Sequence, residues 1–231
     1  MAKSALIVGA GAGISAAFAR ALAKDGYKLA LAARKVDKLD GLVAETGAVA
    51  FQCDATQPDQ VETLFGEVDQ ALEGLDVVLY NPSLRFTGPV AELDAEDVRR
   101  ALLVTAFGAF LVAQQAAMRM LAQGHGAILF TGASASVKGY AHSAPFAMGK
   151  FALRGLAQSL ARELHPQNIH VAHFVIDGGV ANQARGRVNT PERPDGWLEA
   201  DAIAQTYMDV LNQHRSAWSW EIEVRPWIET F

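Results

Sequence analysis

One cysteine, Cys53, stands among 231 residues, so no internal disulfide can form and a cross-linked miniature fold is excluded. No block of basic residues occurs either. Lysine and arginine number 20 against 25 acidic residues, a formal charge of −5, which argues against nucleic acid or an anionic membrane as the main partner. The apolar runs read as too short and too interrupted to cross a bilayer. Met1, Ala2 and Lys3 lead straight into a strand-like run with no export-type apolar stretch, so the cytoplasm is the expected compartment. There is no repeat, no low-complexity segment and no Cys/His spacing of a metal site, and no metal is expected. What is present is a chain that is 51% hydrophobic, enough to bury a large core in one domain covering residues 1–231.

The stretch Ala5 to Arg20, ALIVGAGAGISAAFAR, organises the rest. Four apolar residues run into Gly9, glycines alternate with alanines through Gly11 to Gly13, and Ile14, Ala17, Phe18 and Ala21 follow at helical spacing. This is strand, tight turn, helix. Such a turn leaves the first backbone N–H groups of the helix unpaired, and glycine removes the Cβ atoms that would keep a phosphate away. A dinucleotide pyrophosphate is the expected ligand, although neither glycine spacing is complete: the third glycine of GxGxxG falls on Ile14 and that of GxxxGxG on Ser15. The packing alternative is that the glycines serve helix and strand contact alone.

Strand-like runs recur at Tyr27 to Ala33, Val49 to Asp54, Leu75 to Tyr80, Gly124 to Thr131 and Ile169 to Ile176, with a short last one near Ile222 to Arg225. Helical patterns separate them: Pro58 to Leu72 with Thr56 as N-cap, a long one from Asp94 through Met120, another from about Pro145 to Leu164, and Leu198 to Gln213. Alternation at this interval predicts a parallel sheet covered by helices on both faces. Residues 177–197 hold glycines, prolines and charges with little periodicity, which predicts a mobile loop over a site. The second strand ends in Ala33, Arg34, Lys35, where a dinucleotide fold meets the adenosine ribose. An acid there would accept from a 2′-hydroxyl, whereas Arg34 suits a 2′-phosphate, so NADP(H) is expected over NAD(H), which stays possible. The competing reading is a solvated basic pair at a helix start. Cys53 beside Phe51 reads as packing.

With these residues in view, the chain resembles the short-chain dehydrogenase/reductase family over nearly its whole length. The resemblance is carried by the turn Gly9 to Gly13, the AAR end of strand two, Cys53-Asp54, DVVLYN, FAMGKFALRGLAQSLAREL and IHVAHFVIDGGV. It implies an α/β, single-domain Rossmann-type doubly wound parallel sheet of about seven strands, with helices on both faces. It also implies hydride exchange between NAD(P) and a carbonyl or alcohol carbon of a small molecule. By the same resemblance Gly9, Gly11, Gly13, Ile14, Arg34, Asp54, Ala55, Asn81, Lys150, Gly178 and Val180 bind cofactor. The family's catalytic tyrosine, four residues before the lysine and so on one helix face with it, corresponds to Phe146; its serine corresponds to Ala133 and its asparagine to Thr105. Only Lys150 of the four is in place. A phenyl ring can neither give nor take a proton, so the resemblance points to an atypical member.

Alternatives stand open for the remaining residues. Lys150 either tunes catalysis or only holds the nicotinamide ribose. Ser134 either replaces the missing serine or satisfies its own turn. Tyr140 and His142 precede Phe146 and are the nearby side chains able to act as general acids, or else they cover a core edge. The aromatic tail from Trp218 to Phe231 is strand-like and predicts a homodimer or homotetramer. Two function classes follow: an NADP-dependent oxidoreductase with a non-standard proton donor, and an NADP-binding protein without turnover that serves as a sensor or partner subunit.

Overall fold

The computed structural model describes residues 3–229; within them the tail expected to be strand-like is strand only over Glu221–Val224, and its end lies outside the described residues. Seven strands form one sheet: β1 (Ser4–Val8), β2 (Lys28–Ala33), β3 (Val49–Gln52), β4 (Val77–Tyr80), β5 (Gly126–Thr131), β6 (Ile169–Ile176) and β7 (Glu221–Val224). All pairings are parallel in the order β3-β2-β1-β4-β5-β6-β7. The order reverses between β1 and β4, and a crevice at the carboxyl ends of the strands opens at such a reversal.

Strand alternation divides the core. Leu6 and Val8 of β1 face one layer, with Val61, Leu64 and Phe65 of α3 (Pro58–Ala71), Val112 and Ala116 of α5 (Gly108–Gln123) and Leu153 of α6 (Ala144–Leu164). Ala5 and Ile7 face the other, with Phe18 and Leu22 of α1 (Ile14–Lys24), Leu42 of α2 (Asp40–Thr46) and Tyr207 of α7 (Ala200–Leu211). Near-continuous apolar strands follow from burial on both sides. The Tyr207 ring lies 5.3 Å from Phe18 and 3.9 Å from Phe174, and its hydroxyl bonds Thr131 Oγ1 at 3.0 Å, so α1, α7 and β6 share one aromatic knot.

Three sequence expectations need correction. The helix expected from Asp94 to Met120 is interrupted: α4 (Ala95–Leu102) passes into a π-turn at Leu103–Phe107 before α5. A π-turn inserts an extra residue and leaves a carbonyl without its helical partner; the buried Tyr80 hydroxyl donates to the Val104 carbonyl. Gly108 is required beside it, because a Cβ there would stand 2.6 Å from that hydroxyl and 2.7 Å from the Ala55 carbonyl oxygen. The continuous 29-residue stretch Ala95–Gln123 is long and apolar enough to cross a membrane by length and composition, contrary to the reading of short runs. Its Leu111, Val112, Ala113, Ala116 and Met120 are buried against the sheet layer, which makes it a core helix. Thr56 does not cap α3: the N-cap is Gln57, and Thr56 Oγ1 donates to Asp54 Oδ1 at 2.8 Å. The nearer carboxylate outcompetes the helix amides for that hydroxyl.

Candidate active site

A cavity of about 700 Å³ opens at the crevice between the glycine turn and the ends of β2, β3 and β4. Its lining brings together Gly9, Gly11, Arg34, Asp54 and Ala55 among the residues singled out from sequence, and adds Lys35 and Lys38. Gly9 (φ +80°) and Gly13 (φ +96°) hold left-handed backbone. A Cβ on Gly9 would lie 2.7 Å from the Pro82 ring, so only glycine fits there, whereas Gly11 and Gly13 face open space. Gly9 N and Ala10 N both donate to the Ala32 carbonyl, at 2.9 and 3.0 Å, which folds the turn back on β2. The first intrahelical bond of α1 runs from Ala17 N to Gly13 O, leaving the earlier amides of the helix start available to an anion.

Ser15, in the place of the third glycine, is a functional residue the sequence reading passed over. Its Oγ donates to the Gly9 carbonyl at 3.1 Å and accepts from Asn81 Nδ2 at 2.7 Å, so a side chain links the glycine turn to the end of β4. Asn81 is thereby positioned at the crevice without lining the cavity. Asp54 receives Thr56 N at 3.0 Å and the Thr56 hydroxyl, fixing its carboxylate at the cavity floor. Lys38 was missed because it lies beyond the strand end in a short 3-10 turn (Val36–Leu39) that carries it back beside Arg34. Cys53 also lines the cavity; burial pushes its thiol up to about 11, so it stays protonated, in accord with a packing role.

The second half of the crevice is built on α6 and the π-turn. Lys150 is 2% exposed and donates to the Thr131 carbonyl at 2.6 Å; burial pulls its ammonium down to about 7. Phe146 lies on the same helix face, its ring centroid 6.0 Å from Lys150 Nζ. Thr105 is buried in the π-turn against Gly149, where a Cβ would meet Thr105 Cβ at 3.0 Å, and Thr105 Oγ1 accepts from Leu84 N at 3.3 Å. Ala133 leads into a 3-10 turn (Ser134–Ser136) packed on α6. The hydroxyl that serves this turn is Ser136, which accepts from Ala133 N at 3.1 Å, while Ser134 Oγ makes no hydrogen bond to another described residue. Tyr140 and His142 are exposed on the segment before α6, with His142 in left-handed backbone (φ 60°) and its carbonyl accepting from Gly88 N at 2.9 Å.

A sequence profile described as short chain dehydrogenase matches residues 3–192. The chain belongs to this family. It is 31% identical over 176 residues, 76% of its own length and 68% of the other's, to the 3-oxoacyl-[acyl-carrier-protein] reductase MabA of Mycobacterium tuberculosis. A solved short-chain dehydrogenase from Rhodopseudomonas palustris superposes with a TM-score of 0.84 at 33% identity, covering 97% of this chain and 99% of that one. An alcohol dehydrogenase from the archaeon Thermococcus sibiricus, solved with 5-hydroxy-NADP, gives 0.87 at 26% identity over 100% and 99%. The seven-strand order is the sheet of this fold.

In this short-chain dehydrogenase the loop after β6, expected as a mobile loop over a site, carries a scaffold of its own. Asp177, buried, accepts Lys138 Nζ at 3.1 Å and Arg225 Nη2 at 2.8 Å, joining the ends of β5, β6 and β7. Trp197 stacks between Arg187 and Arg193 at 5.5 and 5.0 Å, and Trp227 Nε1 donates to the Pro194 carbonyl at 3.1 Å. Gly178 and Val180 open this loop: Gly178 packs under Pro226, where a Cβ would come within 2.5 Å, and Val180 bridges to Leu198. On the far side His170 stacks on Trp218 and His165 meets the same ring edge-on, and among the described residues no cluster of three or more metal-ligating side chains occurs. His173, fully buried, shares Glu221 with Arg154; burial pulls it down to about 4, so it is neutral at pH 7.

Proposed function

We propose that the chain is an NADP-preferring oxidoreductase of the short-chain dehydrogenase type acting on a carbonyl or alcohol carbon, with Phe146 in the place of the usual tyrosine. The observation that carries the cofactor choice is the cavity wall where Arg34, Lys35 and Lys38 meet beside the glycine turn with no acid at the end of β2. The site fits the group: glycines whose Cβ atoms would face open space or close the turn, unpaired helix amides, and three cations. In this reading the amides after Gly9, Gly11 and Gly13, with Ile14, hold the pyrophosphate. Arg34, Lys35 and Lys38 hold a 2′-phosphate, Asp54 and Ala55 border the adenine, Asn81 and Lys150 serve the ribose, and Gly178 and Val180 bound the nicotinamide end. NADP, when bound, supplies or accepts the hydride.

Proton movement then rests on other groups than a phenol at 146. Ser134 Oγ, uncommitted among the described residues, is placed to donate to a substrate oxygen, and Tyr140 Oη or a His142 ring nitrogen carries the proton. A second reading, a binding protein without turnover, is favoured by the concerted loss of hydroxyl or amide at Phe146, Ala133 and Thr105. Fluorescence titration tests the cofactor choice. NADPH should bind more tightly than NADH, and Arg34→Ala with Lys38→Ala should weaken NADPH by about tenfold to a hundredfold, as for lost charge-assisted bonds, while changing NADH by less than about threefold. Equal affinity for the two cofactors in the unaltered protein would remove the 2′-phosphate reading. NADPH consumption over a carbonyl panel then separates turnover from binding alone.

Self-association belongs to the same reading. Phe107, Phe110, Met118 and Leu121 make an exposed stripe along the π-turn and α5, and Met148 and Phe151 are exposed on α6. β7 leaves one edge of the sheet unpaired among the described residues. These surfaces suit a homodimer or homotetramer of a cytoplasmic enzyme. Phe110→Asp with Phe151→Asp should lower the sedimenting mass toward a single chain with the circular dichroism unchanged; an unaltered oligomer would place the interface elsewhere.

A further inference from the structure

Arg85 projects from the segment between β4 and α4, on the substrate side of the crevice. Its guanidinium carbon lies 5.4 Å from the centroid of Phe146, the ring that stands where the proton donor is absent. The segment that carries it is fastened at two points, Leu84 N to Thr105 Oγ1 at 3.3 Å and Gly88 N to the His142 carbonyl at 2.9 Å. Arg85 is exposed and forms no ion pair with an acid among the described residues, although Arg20, Arg99, Arg100, Arg119 and Arg154 each have one. Like Arg34 in the cavity wall, it has no carboxylate partner among the described residues, and its charge stands at the mouth of the site. A guanidinium held over a ring keeps its N–H donors free for a carboxylate, whose two oxygens match its planar fork. Lys150 Nζ, 6.0 Å from the same centroid, is a second basic group beside that ring.

Resting on the oxidoreductase reading above, we propose that Arg85 is the carboxylate-binding residue of the substrate pocket and that the substrates are small oxo acids or hydroxy acids. Phe146 then serves as the platform that orients the guanidinium, a task for which a phenyl ring suffices. Thr105 acts as a positioning residue through Leu84.

Calorimetric titration of the full chain tests this, with pyruvate and acetoacetate set against their ethyl esters, with saturating NADP+ and also without cofactor. Oxidised cofactor prevents reduction of these ketones, so binding is read alone. At least one acid should bind tighter than its ester by about tenfold or more, and Arg85→Ala should abolish that preference while changing ester and NADPH affinity by less than about twofold; Arg85→Lys should restore it in part. Overturning results are the absence of acid preference in the unaltered protein, or its survival in Arg85→Ala. Failure of NADPH to bind would sink the cofactor reading separately, and the titrations without cofactor still decide the role of Arg85.

Discussion

Replacing Lys150 by methionine is expected to stabilise the protein at pH 7 and to weaken its hold on NADPH. The ammonium is buried, with the Thr131 carbonyl as its hydrogen-bond partner, and burial brings it down to about 7 from an ordinary 10.5. The sign follows from proton counting. Between about 7 and 10.5 the unfolded chain binds a proton at this position that the folded chain lacks, so stability climbs with pH across that window. The cost of burying the charge is therefore fully present below about 7 and fades toward 10.5. A shift of this size corresponds to a few kcal/mol; leaving the Thr131 carbonyl unpaired returns about 1–3 kcal/mol of it. The net gain of Lys150→Met at pH 6–7 is about 1–3 kcal/mol, or several degrees in Tm, and it should vanish or reverse near pH 10. Tm followed from pH 6 to 10 for both proteins checks the slope, and NADPH titration checks the function. A methionine variant that melts no higher than the unaltered protein at pH 6–7 would show that the amine is not held at a cost.

Restoring a tyrosine alone is expected to recover little. Phe146→Tyr would place a phenol near Lys150, whose positive charge lowers a phenol's pKa, but only while the lysine keeps its proton. The hydroxyl expected at Ala133 and the amide expected at Thr105 would still be missing. Groups that act as a unit are strongly non-additive. With generic carbonyl substrates the single change should raise NADPH consumption by less than about tenfold, whereas Phe146→Tyr, Ala133→Ser and Thr105→Asn together should approach the hundredfold or more that a positioned general acid contributes. Thr105→Asn is the demanding member, because Thr105 packs on Gly149 and holds Leu84 N. Strong activity from Phe146→Tyr alone would contradict this account. So would substantial activity of the unaltered protein that survives changes at Ser134, Tyr140 and His142.

The sheet was readable because its strands are buried on both faces and write themselves as apolar runs, and because the glycine turn has a steric requirement visible in Gly9 and Gly13. The strand ends fell within a few residues of Val8, Ala33, Tyr80 and Ile176. The π-turn was not readable: an extra residue in a helix leaves the apolar spacing on either side nearly intact, and its cause, the hydroxyl of Tyr80 reaching Val104, lies 24 positions away. Ser15 and Lys38 escaped for a similar reason, since each acts through partners brought near only by the fold. Arg85 carries no signal in the sequence, because the fold alone brings it over Phe146. Asp177 reads as one more charge of the loop after β6, and the two cations that make an acid tolerable there come from 39 and 48 positions off.

The bonds that tie down the loop after β6 have a consequence for the order in which the chain is made. During synthesis the amino-terminal part folds first, and the lining of the cavity beside the glycine turn ends at Ser83 apart from Val104. The loop, by contrast, is moored to Arg225 and Trp227, which follow it in the chain and are made after all of that lining. The nascent chain can therefore shape this cavity before the loop after β6 has its moorings, and a change at Arg225 or Trp227 acts on that loop from a distance.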